Sequence, residues 1–305
     1  MQQISVPDFM IVGAAKCGTT TLFGILGSHP QIFIPTNKEP WFFSHVDEDI
    51  EKIVLGPQKD MIVNDVNEYL KLYDGRGPSE VCGDASTSYL YDYEKTIENI
   101  KRLRASWENL KIIVVIRDPV ERAYSHYLNN IRSGSEARDF SECIKCSVDG
   151  VEERYRDYLQ YGMYHDQIRA YKEQFDNIAV ILFEELVSCP EDILPSLFGF
   201  IGVDPTHKLK NFPKENASGV PTSQYVSKII FQKNIFKTAA KTLVPARLRR
   251  MISGYIENKF MTRPDMTSGQ REFLVAYYKD DILRLEKFLG ISLASWKSFP
   301  ELHDV

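Results

Sequence analysis

The chain has 305 residues, of which 43% are hydrophobic and 26% are charged. This composition is typical of a folded globular protein and excludes a mostly disordered chain. The 37 basic and 42 acidic residues give a net charge of −5, which argues against a protein that coats nucleic acid. The balance is still compatible with a local basic pocket for a small anion.

The cysteine content and the length of the apolar runs indicate in which cellular compartment the protein is expected. Five cysteines are an odd number, which is atypical of a disulfide-built secreted domain and favours a reducing compartment. Cys143 and Cys146 form a single CxxC pair, so we interpret them as thiols on a helical segment and predict no metal site. The longest apolar runs, such as Ile112–Ile116, fall far short of the roughly 18 residues that span a bilayer. We therefore expect a soluble, cytoplasmic protein.

Strands and helices alternate along much of the chain. Short apolar runs predict strands at Asp8–Ala14, Gln31–Pro35, Lys111–Arg117 and Asn177–Phe183. Apolar residues at helical spacing predict helices at Gly18–Gly27, Pro119–Ile131, Tyr164–Phe175, Pro190–Ile201 and Ser268–Leu289. This alternation implies a P-loop-like α/β fold, with a mostly parallel sheet flanked by helices on both faces.

The whole chain, 1–305, is expected to form a single domain with two additions. Residues 46–80 are polar and irregular apart from one helical patch at Val66–Tyr73, and we interpret them as an insertion that forms a substrate wall. Residues 205–305 are expected to form a mainly helical C-terminal part.

The turn from the first strand to the first helix, GAAKCGTTT, is the most informative motif. Two glycines five residues apart, followed at once by a helix, predict a loop whose backbone N–H groups surround a phosphate. A tight turn without a ligand is the alternative. The residues predicted to hold the anion are Ala15, Lys16, Cys17, Gly18, Thr19, Thr20 and Thr21.

The position of the lysine distinguishes this loop from a Walker A motif, in which the lysine directly follows the second glycine. Here Thr19 occupies that position and Lys16 lies inside the loop. A lysine at this point suits a diphosphate-like group whose bridging oxygen gains negative charge as it leaves. A nucleotide kinase and a non-catalytic nucleotide-binding module are kept as alternative functions.

Arg117 and Ser125 predict a second anion site. Arg117 ends a predicted parallel strand, where open α/β sheets place their ligands, and Ser125 lies two turns into the next helix. A guanidinium group binds oxyanions through paired N–H donors. Taken alone, the arginine would be explained equally well by a surface ion pair.

Together the two motifs resemble the pair that defines the sulfotransferases that use 3′-phosphoadenosine-5′-phosphosulfate (PAPS). Gly13–Thr20 matches their GxxKxGTT-type loop, and Arg117–Ser125 matches their RxPxxRxxS-type segment. The KEPWFF stretch at Lys38–Phe43 is similar to the carbohydrate, heparan sulfate-like members. The resemblance extends roughly over residues 7–202, and Cys17 departs from the Ser or Thr of many members.

This resemblance implies transfer of a sulfuryl group from PAPS to a hydroxyl or amine, with adenosine 3′,5′-bisphosphate (PAP) as the second product and no metal. It implies that the glycine loop holds the 5′-phosphosulfate and that Arg117 and Ser125 hold the 3′-phosphate. Glu39 is the candidate base for the acceptor proton, with Lys16 stabilising the bridging oxygen and Lys38 near the transferred group. An ion pair with Lys38 is the alternative explanation of Glu39.

Besides Glu39, two histidines close to the motifs have side chains that could act as the base. His45 is kept as a substitute base, whereas His126 is expected to pack or to face solvent. The acceptor is expected to be a small molecule or a glycan, and aromatic walls suit sugar faces and ring compounds alike. The residues expected to contact it, with core packing as the alternative, are Trp41, Phe42, His45, Asp84, Ser86 and Tyr89.

Residues 216–256 contain seven lysines or arginines and no acidic residue. A solvated helical face is the preferred interpretation of this basic segment. Closure over the bisphosphate is the second interpretation, and contact with an anionic acceptor or a membrane surface is the third.

Overall fold

A computed structural model describes residues 3–50, 62–104, 106–208, 220–221, 261–262 and 264–300. Five strands form one parallel sheet in the order β2-β3-β1-β4-β5. They are β1 (Phe9–Gly13), β2 (Ile32–Phe33), β3 (Val81–Ala85), β4 (Lys111–Ile116) and β5 (Ile178–Leu182). A short antiparallel pair comprises β6 (Val220–Pro221) and β7 (Met261–Thr262).

Helices flank this sheet, as the alternating pattern predicted. The first five in the described residues are α1 (Thr19–Leu26), α2 (Phe42–His45), α3 (Val66–Lys71), α4 (Ser88–Tyr91) and α5 (Tyr93–Leu103). The others are α6 (Pro119–Ser133), α7 (Phe140–Val148), α8 (Tyr164–Lys172), α9 (Phe183–Ser188), α10 (Pro190–Ile201) and α11 (Ser268–Leu289). Single turns of 3₁₀ helix lie at Trp107–Asn109, Arg154–Arg156 and Gln160–Gly162.

The central strands are apolar because they are covered on both faces. All five residues of β1 are buried, and in β4 every residue after Lys111 is buried. Such continuous apolar runs are typical of parallel strands between two helical layers. The helix that follows β4 starts sharply, because Pro119 occupies its first turn and the Asp118 carboxylate accepts a hydrogen bond from Val120 N–H.

Several elements differ from the sequence expectations. β3 was not predicted, because its VCGDA sequence contains a glycine and an aspartate that are uncommon in strands. The helical patch of the proposed insertion is present as α3, and its Tyr69 is buried in the core together with Tyr73. The basic segment 216–256 lies outside the described residues except for Val220 and Pro221, so its role stays a prediction.

Candidate active site

A cavity of about 600 Å³ opens at the carboxyl edge of the sheet, where the ends of β1, β3, β4 and β5 all contribute residues. Such an edge is where open α/β sheets bind their ligands. Its described lining residues are Ala15, Lys16, Gly18, Thr19, Thr20, Thr21, Lys38, Glu39, Trp41, Thr87, Arg117, Ser125, His126, Leu128, Asn129, Asn130, Arg132, Ser133, Ser135, Tyr155, Tyr161 and Phe183.

The glycine loop ends at Gly18 in a left-handed backbone conformation that glycine adopts readily. Gly18 precedes α1 with φ 81°, a backbone conformation that favours glycine. There is also no room for a side chain, because a Cβ at this position would lie 2.7 Å from the ring of Phe183. Lys16 also has a positive φ, 70°, which is uncommon for a residue with a side chain. Backbone strain of this kind persists where the surrounding structure enforces it, commonly at binding sites.

Four basic side chains line the cavity: Lys16, Lys38, Arg117 and Arg132. Burial, then the positive charges of Arg132, Arg117 and Lys38, lower the pKa of Lys16 from 10.5 to about 8. Among the described lining residues, Glu39 is the sole carboxylate. The cavity therefore has an excess of positive charge and is suited to an anion with several charges.

Arg117 is fixed at the end of β4 by aromatic contacts. Its guanidinium carbon lies 4.8 Å from the centre of the Phe183 ring, and its carbonyl accepts a hydrogen bond from the Tyr164 hydroxyl at 3.0 Å. Next to it, Glu184 accepts a hydrogen bond from Asp118 N–H at 3.1 Å. Ser125 lines the same cavity from α6, so the two residues of the predicted second anion site are brought together.

Glu39 lines the cavity and is held by four donors. Lys38 Nζ donates to Oε1 at 2.6 Å, and Trp41 Nε1 donates to Oε2 at 3.2 Å. Thr87 donates to the same Oε2 with its N–H at 2.7 Å and its hydroxyl at 3.1 Å. The ion pair with Lys38 is thus present within the cavity, and it places the carboxylate and the ammonium group on the same wall.

The turn that carries Glu39 is anchored to the end of β3. Glu39 N–H donates to the carbonyl of Ala85 at 2.9 Å, and Trp41 N–H donates to Ser86 Oγ at 3.1 Å. Glu39 and Trp41 both have left-handed backbone angles, with φ of 66° and 55°. Ser86, predicted as an acceptor-binding residue, is fully buried and supports this turn instead.

Three other residues predicted to contact the acceptor lie in the core, which corrects that expectation. Phe42, Asp84 and Tyr89 are 0–2% exposed and are not among the cavity-lining residues. Phe42 stacks on Tyr69 with the ring centres 4.0 Å apart. The Asp84 carboxylate accepts hydrogen bonds from the hydroxyls of Tyr69 and Tyr89 at 2.8 and 2.9 Å. These aromatic side chains satisfy a buried carboxylate and support the wall from behind.

His45 and Cys17 are also not among the cavity-lining residues. His45 Nδ1 lies 2.9 Å from Glu48 Oε2, its Nε2 lies 3.5 Å from Arg154 Nη1, and burial lowers the pKa of His45 to about 4. This corrects its assignment as a substitute base. Cys17 is buried with Sγ 3.6 Å from the Tyr164 hydroxyl, and burial raises the pKa of the thiol to about 11.

Sequence reasoning missed several cavity residues. Arg132 lies seven residues after Ser125 on α6, so helical spacing from Ser125 could have identified it. Phe183 follows β5 at the carboxyl edge of the sheet and could have been found by the same argument as Arg117. Thr87 and Tyr161 lie in the stretches Gly83–Tyr89 and Tyr161–Tyr164, which resemble the sulfotransferases more weakly, and that resemblance did not assign either residue to the cavity.

Comparison with known proteins identifies the family of the chain. Residues 7–207 match the family model described as "Sulfotransferase family". Because that match covers more than half of the chain, the chain belongs to the sulfotransferase family, and the resemblance drawn from its motifs is confirmed.

The individual relatives share about a quarter of their aligned residues with this chain. Human carbohydrate sulfotransferase 15 is 24% identical over 248 residues, covering 66% of this chain and 44% of that protein. Human heparan sulfate glucosamine 3-O-sulfotransferase 3B1 is 27% identical over 220 residues, covering 71% of this chain and 51% of that protein. The chain thus spans about half the length of the curated relatives it matches. A sulfotransferase crystal structure from Alicyclobacillus acidocaldarius aligns with a TM-score of 0.70 and 26% identity, covering 96% of this chain and 100% of the other.

Within the described ranges, no cluster of three or more His, Cys, Asp or Glu side chains is arranged to hold a metal ion. In the same part of the chain, every helix is too short or too polar to cross a bilayer.

Proposed function

We propose that this protein transfers a sulfuryl group from PAPS to a hydroxyl or amine of an acceptor and releases PAP. One observation carries the proposal: a glycine loop with Lys16 at its centre, the Arg117–Ser125 pair and the carboxylate of Glu39 all face a single cavity. PAPS has two separate groups of negative charge, and the cavity offers two separate groups of cationic and hydroxyl donors. Family membership favours this reaction over a nucleotide kinase.

The negative charges of PAPS fit the positive charges of the cavity. Burial, then the positive charges of Arg132, Arg117 and Lys38, lower the pKa of Lys16, and a polyanionic nucleotide would offset the charges of these four cations. The glycine loop and the first turn of α1 would hold the 5′-phosphosulfate, because their N–H groups are not used within the helix. Arg117 and Ser125 would hold the 3′-phosphate.

The bound donor supplies an activated sulfuryl group, and the residues of the chain provide the base and the charge stabilisation. The acceptor oxygen or nitrogen forms a bond to sulfur while the bond from sulfur to the bridging phosphate oxygen breaks. Glu39 takes the acceptor proton, and Lys16 stabilises the charge left on the bridging oxygen. The donors around Glu39 orient its carboxylate, and the rings of Trp41 and Tyr161 line the cavity with it.

The acceptor class is proposed from the relatives. Their names refer to carbohydrate and heparan sulfate, which makes a glycan the first acceptor class to examine, with small molecules as the second. A cytoplasmic location remains a prediction from the cysteine content.

Calorimetry with PAP and radiolabelled PAPS turnover test the proposal. We expect wild-type protein to bind PAP and to transfer label to a glycan in an acceptor panel. We expect Glu39→Gln to reduce transfer by about 10²-fold or more while PAP affinity changes little. If the wild-type protein takes up neither PAP nor PAPS, the proposal is wrong. Binding of PAP with no label transferred to any acceptor would instead support a non-catalytic module.

A further inference from the structure

His126 packs against neighbouring rings, as one of the two expectations had it, and it also lines the cavity. It follows Ser125 on α6, is 8% exposed and lines the same cavity as Glu39 and Lys16. One helical turn further on, Asn130 lies on the same edge of the helix and donates hydrogen bonds to the Tyr155 carbonyl and the Tyr158 hydroxyl.

One ring nitrogen of His126 has a fixed role. Nε2 lies 3.1 Å from the carbonyl oxygen of Tyr155, which also accepts a hydrogen bond from Asn130 Nδ2 at 3.1 Å. A carbonyl oxygen can only accept, so the proton of the neutral ring must be on Nε2. Nδ1 therefore carries a lone pair and can accept one hydrogen bond.

Nδ1 of His126 is buried and has no hydrogen-bond partner among the residues that the structure describes. A buried acceptor without a donor is costly, and such groups in native proteins usually have a functional explanation. Burial and the nearby positive charges of Arg122 and Lys16 hold the pKa of His126 well below its usual range. The ring is thus a neutral hydrogen-bond acceptor and a poor base.

His126 contacts two tyrosine rings, and one of them, Tyr161, lines the cavity with it. It makes edge contacts with Tyr158 and Tyr161, with ring centres 5.0 and 5.4 Å apart. Tyr161 lines the cavity beside Glu39 and Trp41, and its other face stacks on Tyr91 at 4.1 Å. Tyr161 thus connects His126 to the part of the cavity that contains the candidate base, because the charge of Glu39 acts on Tyr161.

We propose that His126 Nδ1 accepts a hydrogen bond from a second donor group of the acceptor, next to the group that Glu39 deprotonates. This inference rests on the proposed function. It assigns the acceptor to molecules with at least two neighbouring hydroxyl or N–H groups, and it makes His126 a residue that selects among acceptors. A site built to bind such a group rejects analogues that lack it, because the buried acceptor atom is then left unpaired.

Two substitutions distinguish the contribution of the Nδ1 acceptor atom from that of the aromatic ring. His126→Phe keeps an aromatic ring and removes the acceptor atom, whereas His126→Asn places an amide oxygen near the position of Nδ1. The probes are a panel of desulfated glycan oligosaccharides, which have neighbouring hydroxyls, and 4-nitrophenol, which has one. His165→Phe, a histidine outside the cavity lining, is the control.

For the best glycan of the panel we expect His126→Phe to raise KM by about tenfold or more, with a smaller change in kcat. We expect His126→Asn to recover most of that loss, and activity with 4-nitrophenol, where measurable, to be affected less. A PAP-binding wild-type protein that sulfates no glycan of the panel, or a His126→Phe protein with unchanged KM, overturns the inference. Absence of PAP binding by the wild-type protein would overturn the proposed function instead.

A second arm examines the ribose of the nucleotide, whose 2′-hydroxyl is the other candidate donor. PAP and 2′-deoxyadenosine 3′,5′-bisphosphate are titrated into wild-type protein and His126→Phe. We expect the substitution to affect the two nucleotides equally. If the substitution lowers the affinity for PAP about tenfold and leaves the affinity for the deoxy compound unchanged, the hydrogen bond is made with the ribose and the inference is wrong.

Discussion

Thr87 donates two hydrogen bonds to a single oxygen of Glu39, one from its N–H at 2.7 Å and one from its hydroxyl at 3.1 Å. The two residues are 48 positions apart, and they meet because the turn that carries Glu39 is anchored to the end of β3. With Trp41 donating to the same oxygen, Glu39 Oε2 is held in place. The carboxylate is thus oriented before any acceptor arrives.

Removing one of these donors should impair orientation of the carboxylate. Thr87→Val deletes the hydroxyl and keeps the shape and the N–H, so we expect transfer to fall by about three- to tenfold with little change in PAP affinity. Thr87→Ser keeps the hydroxyl and is the matched control, for which near wild-type transfer is expected. Label transfer from PAPS measures both variants, and equal losses in the two would show that packing rather than the hydroxyl matters.

The Arg117 site should distinguish nucleotides by their 3′-phosphate. Arg117→Ala removes a guanidinium that is held over Phe183, so we expect PAP affinity to fall by about 10–100-fold, because hydrogen bonds to charged groups are strong. Adenosine 5′-monophosphate lacks the 3′-phosphate, so its affinity should fall much less. Calorimetry with both nucleotides makes the comparison, and an equal loss for both would contradict the assigned role.

PAP affinity should fall as the pH rises above 8. The pKa of Lys16 is about 8 in the ligand-free cavity, and a bound anion favours the protonated form and raises it. Binding therefore takes up a proton above pH 8, and affinity should drop by up to about tenfold per pH unit. Lys16→Arg stays charged throughout this range and should show a flatter profile. Titrations between pH 7.5 and 9.5 measure the difference, and parallel profiles would rule out Lys16 as the titrating group.

The parts of the site that the sequence predicted are the local ones. The glycine loop, Arg117 and Ser125 are recognisable because a strand end and the following helix lie within about ten residues of each other. Phe42 and Tyr89 were misplaced because an aromatic side chain near a motif can equally well pack in the core, as these do. The strand order and β3 depend on pairing between distant segments, which apolar runs do not encode.

Gly18 and Gly24 provide a matched pair of substitutions around the glycine loop. Gly18 has φ 81° and faces the Phe183 ring, whereas a Cβ at Gly24 in α1 would meet no atom within 4 Å. We expect Gly18→Ala to weaken PAP by at least tenfold, because the loop or the ring that packs under Arg117 must shift. Gly24→Ala should leave PAP affinity unchanged and stabilise the fold by roughly 0.5–1 kcal/mol. Calorimetry and urea unfolding test both, and a Gly18→Ala protein with wild-type affinity would contradict the close packing.

Asp84 should make the fold less stable as the pH rises from 4 to 7. Burial raises the pKa of this carboxyl from 3.8 to about 6, despite the hydroxyl donors of Tyr69 and Tyr89. The folded state therefore binds the proton more tightly than the unfolded chain, so this contribution is fully present below pH 4 and is lost as the pH passes through 6. The shift of about two pKa units corresponds to roughly 3 kcal/mol.

Asp84→Asn removes the titration and keeps an oxygen that accepts hydrogen bonds. We expect the free energy of unfolding of the wild-type protein, relative to Asp84→Asn, to decrease by roughly 3 kcal/mol between pH 3.5 and 7. Asp74→Asn on the surface is the control substitution. Urea unfolding of the three proteins across this range provides the data. A difference between wild type and Asp84→Asn that stays constant or grows with pH would show that Asp84 is ionised in the fold across the whole range, and that its two tyrosine donors outweigh the cost of burial.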